Sequence, residues 1–166
     1  MQKRRENIHF IMKTAIIAGL YVALTYALSF ISYGDIQFRV AEILMLLCFF
    51  NKKYNVALIL GCFIANLFSP FGLPDIIFGT LATTVACLLI NLFKGKYLWL
   101  ASTMVPIANI IVGLEIVILN DLSGIGALLA IFSVFIGEFV VVCLIGVPIL
   151  KWLMKNDTFK ELILNI

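Results

Sequence analysis

"YGDIQFRVAEILMLLCFF", residues 33–50, sets Asp35, Gln37, Arg39 and Glu42 directly against an apolar run that ends at the polar "NKKYN" of residues 51–55. The apolar block from Val40 to Phe50 is 11 residues long. A helix that crosses a ~30 Å hydrocarbon layer needs about 20 residues, so this block is too short by itself. If the helix begins near Asp35 or Gln37 it approaches the required length. The polar stretch then lies partly inside the membrane zone rather than in a free loop, and the chain counts one more crossing than its long apolar runs alone supply.

Working outward, the rest of the chain is suited to lipid. Hydrophobic residues make up 63% of the 166 and charged residues 13%, and the mean hydropathy is +1.14. Globular chains carry roughly a quarter charged residues. The composition therefore specifies an all-α integral membrane protein, read here as one membrane domain over residues 1–166 with room for about six crossings. The basic leader "MQKRRENIHF" raises the question of a signal peptide. The apolar run after it is long for a signal core and no small-residue cleavage pattern closes it, so it reads as a retained first span.

The expected spans are residues 10–31, 37–50, 54–68, 75–93, 97–119 and 127–153. "SPFGLPD" (69–75), "KGK" (94–96) and "NDLSGIG" (120–126) supply turn residues between them. Basic residues test this division, because cytoplasmic connections collect Lys and Arg. Lys3, Arg4, Arg5 and Lys13 precede or begin span one, Lys52 and Lys53 follow span two, Lys94 and Lys96 follow span four, and Lys151, Lys155 and Lys160 end or follow span six. Only Arg39 of the 12 falls on the other side. The expectation is a six-transmembrane-helix bundle in the plasma membrane with both termini cytoplasmic. Arg39 is the exception that needs a reason.

Polar residues converge on the outer half of such a bundle. Arg39 and Glu42 enter with span two, Asn66 ends span three, Asp75 opens span four and Glu115 lies about a turn from the outer end of span five; Asn109 and Glu138 lie deeper. Structural roles exist for most of them. Asp75 follows Pro74 and reads as a helix-capping residue, Asn66 and Asn109 suit interhelical hydrogen bonds, and Arg39 and Glu42, three apart, suit each other. Glu115 and Glu138 are harder to place structurally, since an acid within a span costs at least a few kcal/mol at the centre. Cys48, Cys62, Cys87 and Cys143 stand singly among aliphatic residues and read as small packing residues.

No His/Glu metal motif, nucleophile elbow, Gly-rich phosphate loop or Cys/His cluster is present in the sequence. The chain therefore holds no metal or cofactor of its own in this reading and cannot hydrolyse ATP by itself. Acids, amides, one Arg and nearby rings (Tyr33, Phe38, Phe71) suit capture of a small planar polar molecule. A self-sufficient proton- or cation-coupled carrier or channel is the alternative, and an enzyme of lipid head groups ranks below it for want of a catalytic set.

"YGDIQFRVAEILMLLCFF", "GCFIANLFSPFGLPDIIFGTLATTVA" (61–86) and the acid in "FIGEFVVV" (135–142) resemble the QueT family, the queuosine-precursor substrate-binding components of energy-coupling factor transporters. The resemblance covers nearly the whole chain. It implies a six-helix component that takes its substrate from outside, a transmembrane coupling protein, and two ATP-binding-cassette ATPases as partners. In that family small-residue stripes on the first helix contact the coupling protein, and Ala15, Gly19 and Ala23 match the pattern; ordinary packing within the bundle is the other use of such a stripe. For a 7-deazaguanine base, Glu115 and Glu138 would receive ring and exocyclic N–H groups. Asn109 or Gln37 would donate to the carbonyl, and Tyr33 or Phe38 would stack above, with residues 33–42 forming both lid and wall. Arg39 would then neutralise Glu42 or Glu115.

Overall fold

The apolar runs form helices wherever no proline or glycine interrupts them, and the connections fall where the turn residues stand. The computed structural model describes residues 2–32 and 38–164, and among these no strand occurs. Helix α1 (Gln2–Ala27) extends back into the basic leader, since nothing in that leader stops a helix, and a single turn, α2 (Ser29–Ser32), follows it. After a 3-10 helix (Val40–Phe49) come α3 (Tyr54–Asn66) and α4 (Leu73–Leu92). The α3–α4 connection turns at Gly72, whose φ of +70° suits a residue without a side chain.

Two further spans are each built from pieces. α5 (Leu98–Ala108) and α6 (Ile110–Leu119) form one apolar rod, Leu98–Leu119, interrupted at Asn109. Pro106 inside α5 removes a backbone donor and opens the ladder there. α7 (Gly124–Glu138) runs through a π-helical stretch (Phe139–Gly146) into α8 (Val147–Leu153), and α9 (Asp157–Leu164) closes the described chain.

Among the described residues four helices are long and apolar enough to cross a membrane: Asn7–Ala27, Leu73–Leu92, Leu98–Leu119 and Gly124–Leu153. The expected spans two and three appear as shorter apolar helices, Val40–Phe49 and Tyr54–Asn66.

Of the shorter pair, the 3-10 helix lies in the core, whereas α3 keeps Val56, Leu60 and Phe63 exposed. Ala41, Met45, Leu46 and Cys48 of the 3-10 helix are completely buried, and the helix packs against α1, α3, α4, α5, α8 and the π-helical stretch. A helix apolar on every side is stable only when surrounded. α1 covers α3 closely because Gly61 has no side chain, as a Cβ there would meet Tyr21 Cβ at 2.9 Å. α6 approaches α7 in the same way, where a Cβ on Gly113 would lie 2.8 Å from Ile131 Cα.

Candidate functional site

The 3-10 helix delivers polar side chains into the bundle from its first turn. Arg39 immediately precedes it, and Glu42 lies in that turn; both are buried. Arg39 Nη2 donates to Asp75 Oδ1 at 2.9 Å in a buried ion pair. Arg39 thus pairs with Asp75 rather than with Glu42 or Glu115, although both lie near enough to feel its charge. Asp75 is correspondingly no helix cap. It points into the bundle, and Gly72, at the cap position of α4, receives no side-chain hydrogen bond.

Below Asp75, one face of α4 carries Gly79 and Thr83 at four-residue spacing. Asn66, in the last turn of α3, donates from Nδ2 to the Asp75 carbonyl at 3.0 Å and to Cys62 Sγ at 3.4 Å. Thr83 Oγ1 donates to the same sulfur at 3.0 Å. Cys62 is therefore more than the packing residue its apolar neighbours suggested, while all four cysteines are buried and unbridged. Gly79 makes this layer possible, because a Cβ there would collide with Asn66 Nδ2 and lie 3.4 Å from Arg39 Nη1. Gly79→Ala is expected to displace the Asn66 amide and lower thermal stability by about 1–3 kcal/mol, as overpacked sites do. A melting curve matching wild type would show that the Asn66 layer is slack.

The second layer centres on Glu42. Asn109 Nδ2 donates to Glu42 Oε2 at 2.6 Å, and Tyr21 and Glu138 lie within interaction range of Glu42. Glu138 also lies within range of Arg39. Each of the three deep groups sits on an irregular piece of helix. Glu42 lies on the 3-10 turn, Asn109 at the break between α5 and α6, and Glu138 at the junction of α7 with the π-helical stretch. Such departures from regular α geometry recur at functional sites.

Glu115, on α6, is 2% exposed and lies within charge range of Asp75 and Arg39. Four buried carboxyls thus accompany one guanidinium. Glu42 Oε1, Asp75 Oδ2, Glu115 Oε2 and Glu138 Oε2 are buried without a hydrogen-bond partner among the described residues. An acceptor surplus of this kind is rare in protein interiors and suits a ligand rich in N–H donors.

Of the residues expected from the sequence, the structure brings Arg39, Glu42, Asn109, Glu115 and Glu138 together. Phe38 is half-buried beside them, its N–H bonded to the Ile31 carbonyl at 3.0 Å. Tyr33 and Gln37 lie outside the described residues, as does the first half of the expected 33–42 lid, residues 33–37. Ala15, Gly19 and Ala23 are exposed on the outer face of α1, where they line an open groove with Leu60, Ile64 and Phe68. Tyr21, Cys62, Asp75 and Thr83 were missed as site residues. Asp75, Gly79 and Thr83 at i, i+4 and i+8 share one helical face, a signal present in the sequence; Tyr21 is hidden by its hydrophobic neighbours.

The fold and site define a multi-pass helical membrane protein with a buried, acid-rich polar centre. The chain belongs to the QueT transporter family, whose model matches residues 11–155. A curated relative, the queuosine precursor transporter QueT of Lactococcus lactis subsp. cremoris (strain MG1363), is 46% identical over 102 residues, covering 58% of this chain and 60% of the relative. The chain thus matches about three-fifths of that relative's length. No solved structure matches this chain.

Proposed function

We propose that this protein is the substrate-binding component of an energy-coupling factor importer and that it captures a queuosine precursor of the 7-deazaguanine type from outside the cell. The observation that carries this reading is the buried cluster of four carboxyls, one guanidinium and two amides. Family membership supports transport, and the name of the Lactococcus relative supports the substrate.

In this reading the chain crosses the membrane six times with both termini cytoplasmic. Val40–Phe49 and Tyr54–Asn66 are its short second and third spans, made long enough by polar entry segments. Glu115 and Glu138 accept the ring and exocyclic N–H groups of the base, and Asn109 donates to its carbonyl. Arg39, held by Asp75, positions Glu42 beside Glu138. Among bases of this class, one bearing a protonated aminomethyl group supplies the donors and the positive charge that a surplus of acids favours. The chain uses no cofactor of its own. ATP is hydrolysed by two partner ATPases, reached through a transmembrane coupling protein that meets the Ala15, Gly19 and Ala23 face.

The test is calorimetry of the purified protein with aminomethyl- and cyano-substituted 7-deazaguanines, together with mass spectrometry of molecules that copurify. Glu115→Gln and Glu138→Gln are each expected to weaken binding by about 1–3 kcal/mol, the effect of leaving a buried partner unpaired, while the protein still inserts. Unchanged affinity in both variants would remove these residues from the site.

The proximity of the buried Glu42 and Glu138 carboxyls favours one second reading, a proton-coupled carrier, since such carriers hold protons on membrane-embedded acids. Uptake by liposomes that contain this chain alone, driven by a proton gradient, would establish that reading in place of the first.

A further inference from the structure

Two free thiols meet in the core at a place the solute site does not use. Cys48, in the last turn of the 3-10 helix, donates its S–H to Cys87 Sγ of α4 at 3.5 Å. Both side chains are completely buried, and both sulfurs are unbridged.

Their meeting follows from the register of the two helices. A 3-10 helix has ~3 residues per turn, so Arg39, Glu42, Met45 and Cys48 fall on one face of it. An α-helix brings residues four apart onto one face, and Asp75, Gly79, Thr83 and Cys87 are so spaced on α4. The Arg39–Asp75 ion pair joins these faces at one end, and the Cys48–Cys87 contact joins them at the other. From Arg39 to Cys48 the chain climbs nine residues at ~2.0 Å each, and from Asp75 to Cys87 twelve at ~1.5 Å, so both distances come to about 18 Å. Nine residues of α-helix would reach only about 13 Å and leave Cys48 short of Cys87. The 3-10 form, usually no longer than ~4 residues, here runs for 10 and keeps the two faces in step.

Two thiols in contact on separate elements are the reactants of a disulfide. Cys87 lies one turn beyond Thr83 of the polar layer and within charge range of Glu42. The pair thus adjoins the polar centre, and a small uncharged oxidant can follow the same polar face of α4 towards it.

We propose that Cys48 and Cys87 form a redox-active dithiol, which a peroxide oxidises to a disulfide that fastens the 3-10 helix to α4. One sulfur attacks the O–O bond of hydrogen peroxide, giving a sulfenic acid and one water. The second thiol then displaces the hydroxyl, forming the S–S bond and a second water. The two thiols give up two hydrogens in all, and the peroxide takes them. Glu42 is thereby held between an ion pair above and a covalent bond below. The polar groups are shielded on all sides, so helices must part for a solute to reach them, and the disulfide opposes that parting. Bond formation does not depend on which solute the protein carries. The effect on solute exchange rests on the polar centre being the solute site.

The test treats the purified full chain with hydrogen peroxide, denatures it, alkylates it with N-ethylmaleimide and weighs it by mass spectrometry. Reduced protein is expected to take four alkyl groups, one for each cysteine, and oxidised protein two fewer. Peptide mapping should join Cys48 to Cys87, and dithiothreitol should restore the full set. Cys48→Ala and Cys87→Ala should each abolish the cross-link, and Cys143→Ala should retain it. Oxidised wild type should also release bound aminomethyl-7-deazaguanine more slowly than reduced wild type, a difference absent from Cys48→Ala. An unchanged set of alkylatable thiols after peroxide, a cross-link between other cysteines, or sulfinic acid in its place would each overturn the proposal. Equal release from the two forms would overturn the clamp. Failure of either form to bind the base would instead overturn the solute assignment, since the cross-link is read without solute.

Discussion

Arg39→Met is expected to lower stability by about 3–5 kcal/mol, because it leaves Asp75 as an uncompensated charge in the interior. The pair is made at 2.9 Å and both side chains are almost fully buried, at 3% and 1% exposure. The double variant Arg39→Met/Asp75→Leu should recover most of that loss, since replacing both partners with apolar groups is often neutral. Its recovery should not extend to ligand binding. The same substitutions remove the guanidinium charge that acts on Glu42 and Glu138. Thermal unfolding in detergent measures the first effect and calorimetry the second. Equal destabilisation in the single and double variants would mean that Arg39 and Asp75 are not energetically coupled.

Gly19→Leu is expected to leave solute binding by the isolated protein nearly unchanged and to abolish ATP-dependent uptake. A Cβ on Gly19 would meet nothing within 4 Å, whereas one on Gly61, facing α1 from α3, would meet Tyr21 and Ala18 at once. The bundle therefore does not need Gly19 to be small. The buried face of α1 is the other one, formed by Thr14, Ala18, Tyr21 and Thr25. If Ala15, Gly19 and Ala23 admit a partner helix at close range, a leucine at the middle position holds that helix away. Uptake and copurification with coupling subunits, measured in cells that express the full transporter, read the effect directly. Normal uptake by the variant would sink the assignment of this face. Gly61→Leu is the contrasting case, expected to fail at folding.

The class of this protein was legible in composition alone. Apolar runs of 20 residues have one stable solution in a bilayer, the helix that satisfies its own backbone. Helix ends fall beside the turn residues at 69–75, 94–96 and 120–126. The acids Glu42, Glu115 and Glu138 could also be read from the sequence, because a buried carboxyl is costly enough in hydrocarbon to demand a reason.

Their partners could not be read in this way. Arg39 is three residues from Glu42, yet its ion pair is with Asp75, 36 positions away, and Glu42 finds Asn109 across 67 positions. Cys62, Thr83 and Tyr21 joined the site because α1, α3 and α4 meet where Gly61 and Gly79 allow them to. The breaks at Asn109 and Glu138 likewise aim two long helices inward at the level of Glu42. Sequence patterning specified which residues are expensive to bury, since that expense is a property of each side chain against its solvent. Only the tertiary structure decided how each is compensated, because compensation is a matter of distance between helices far apart in the chain.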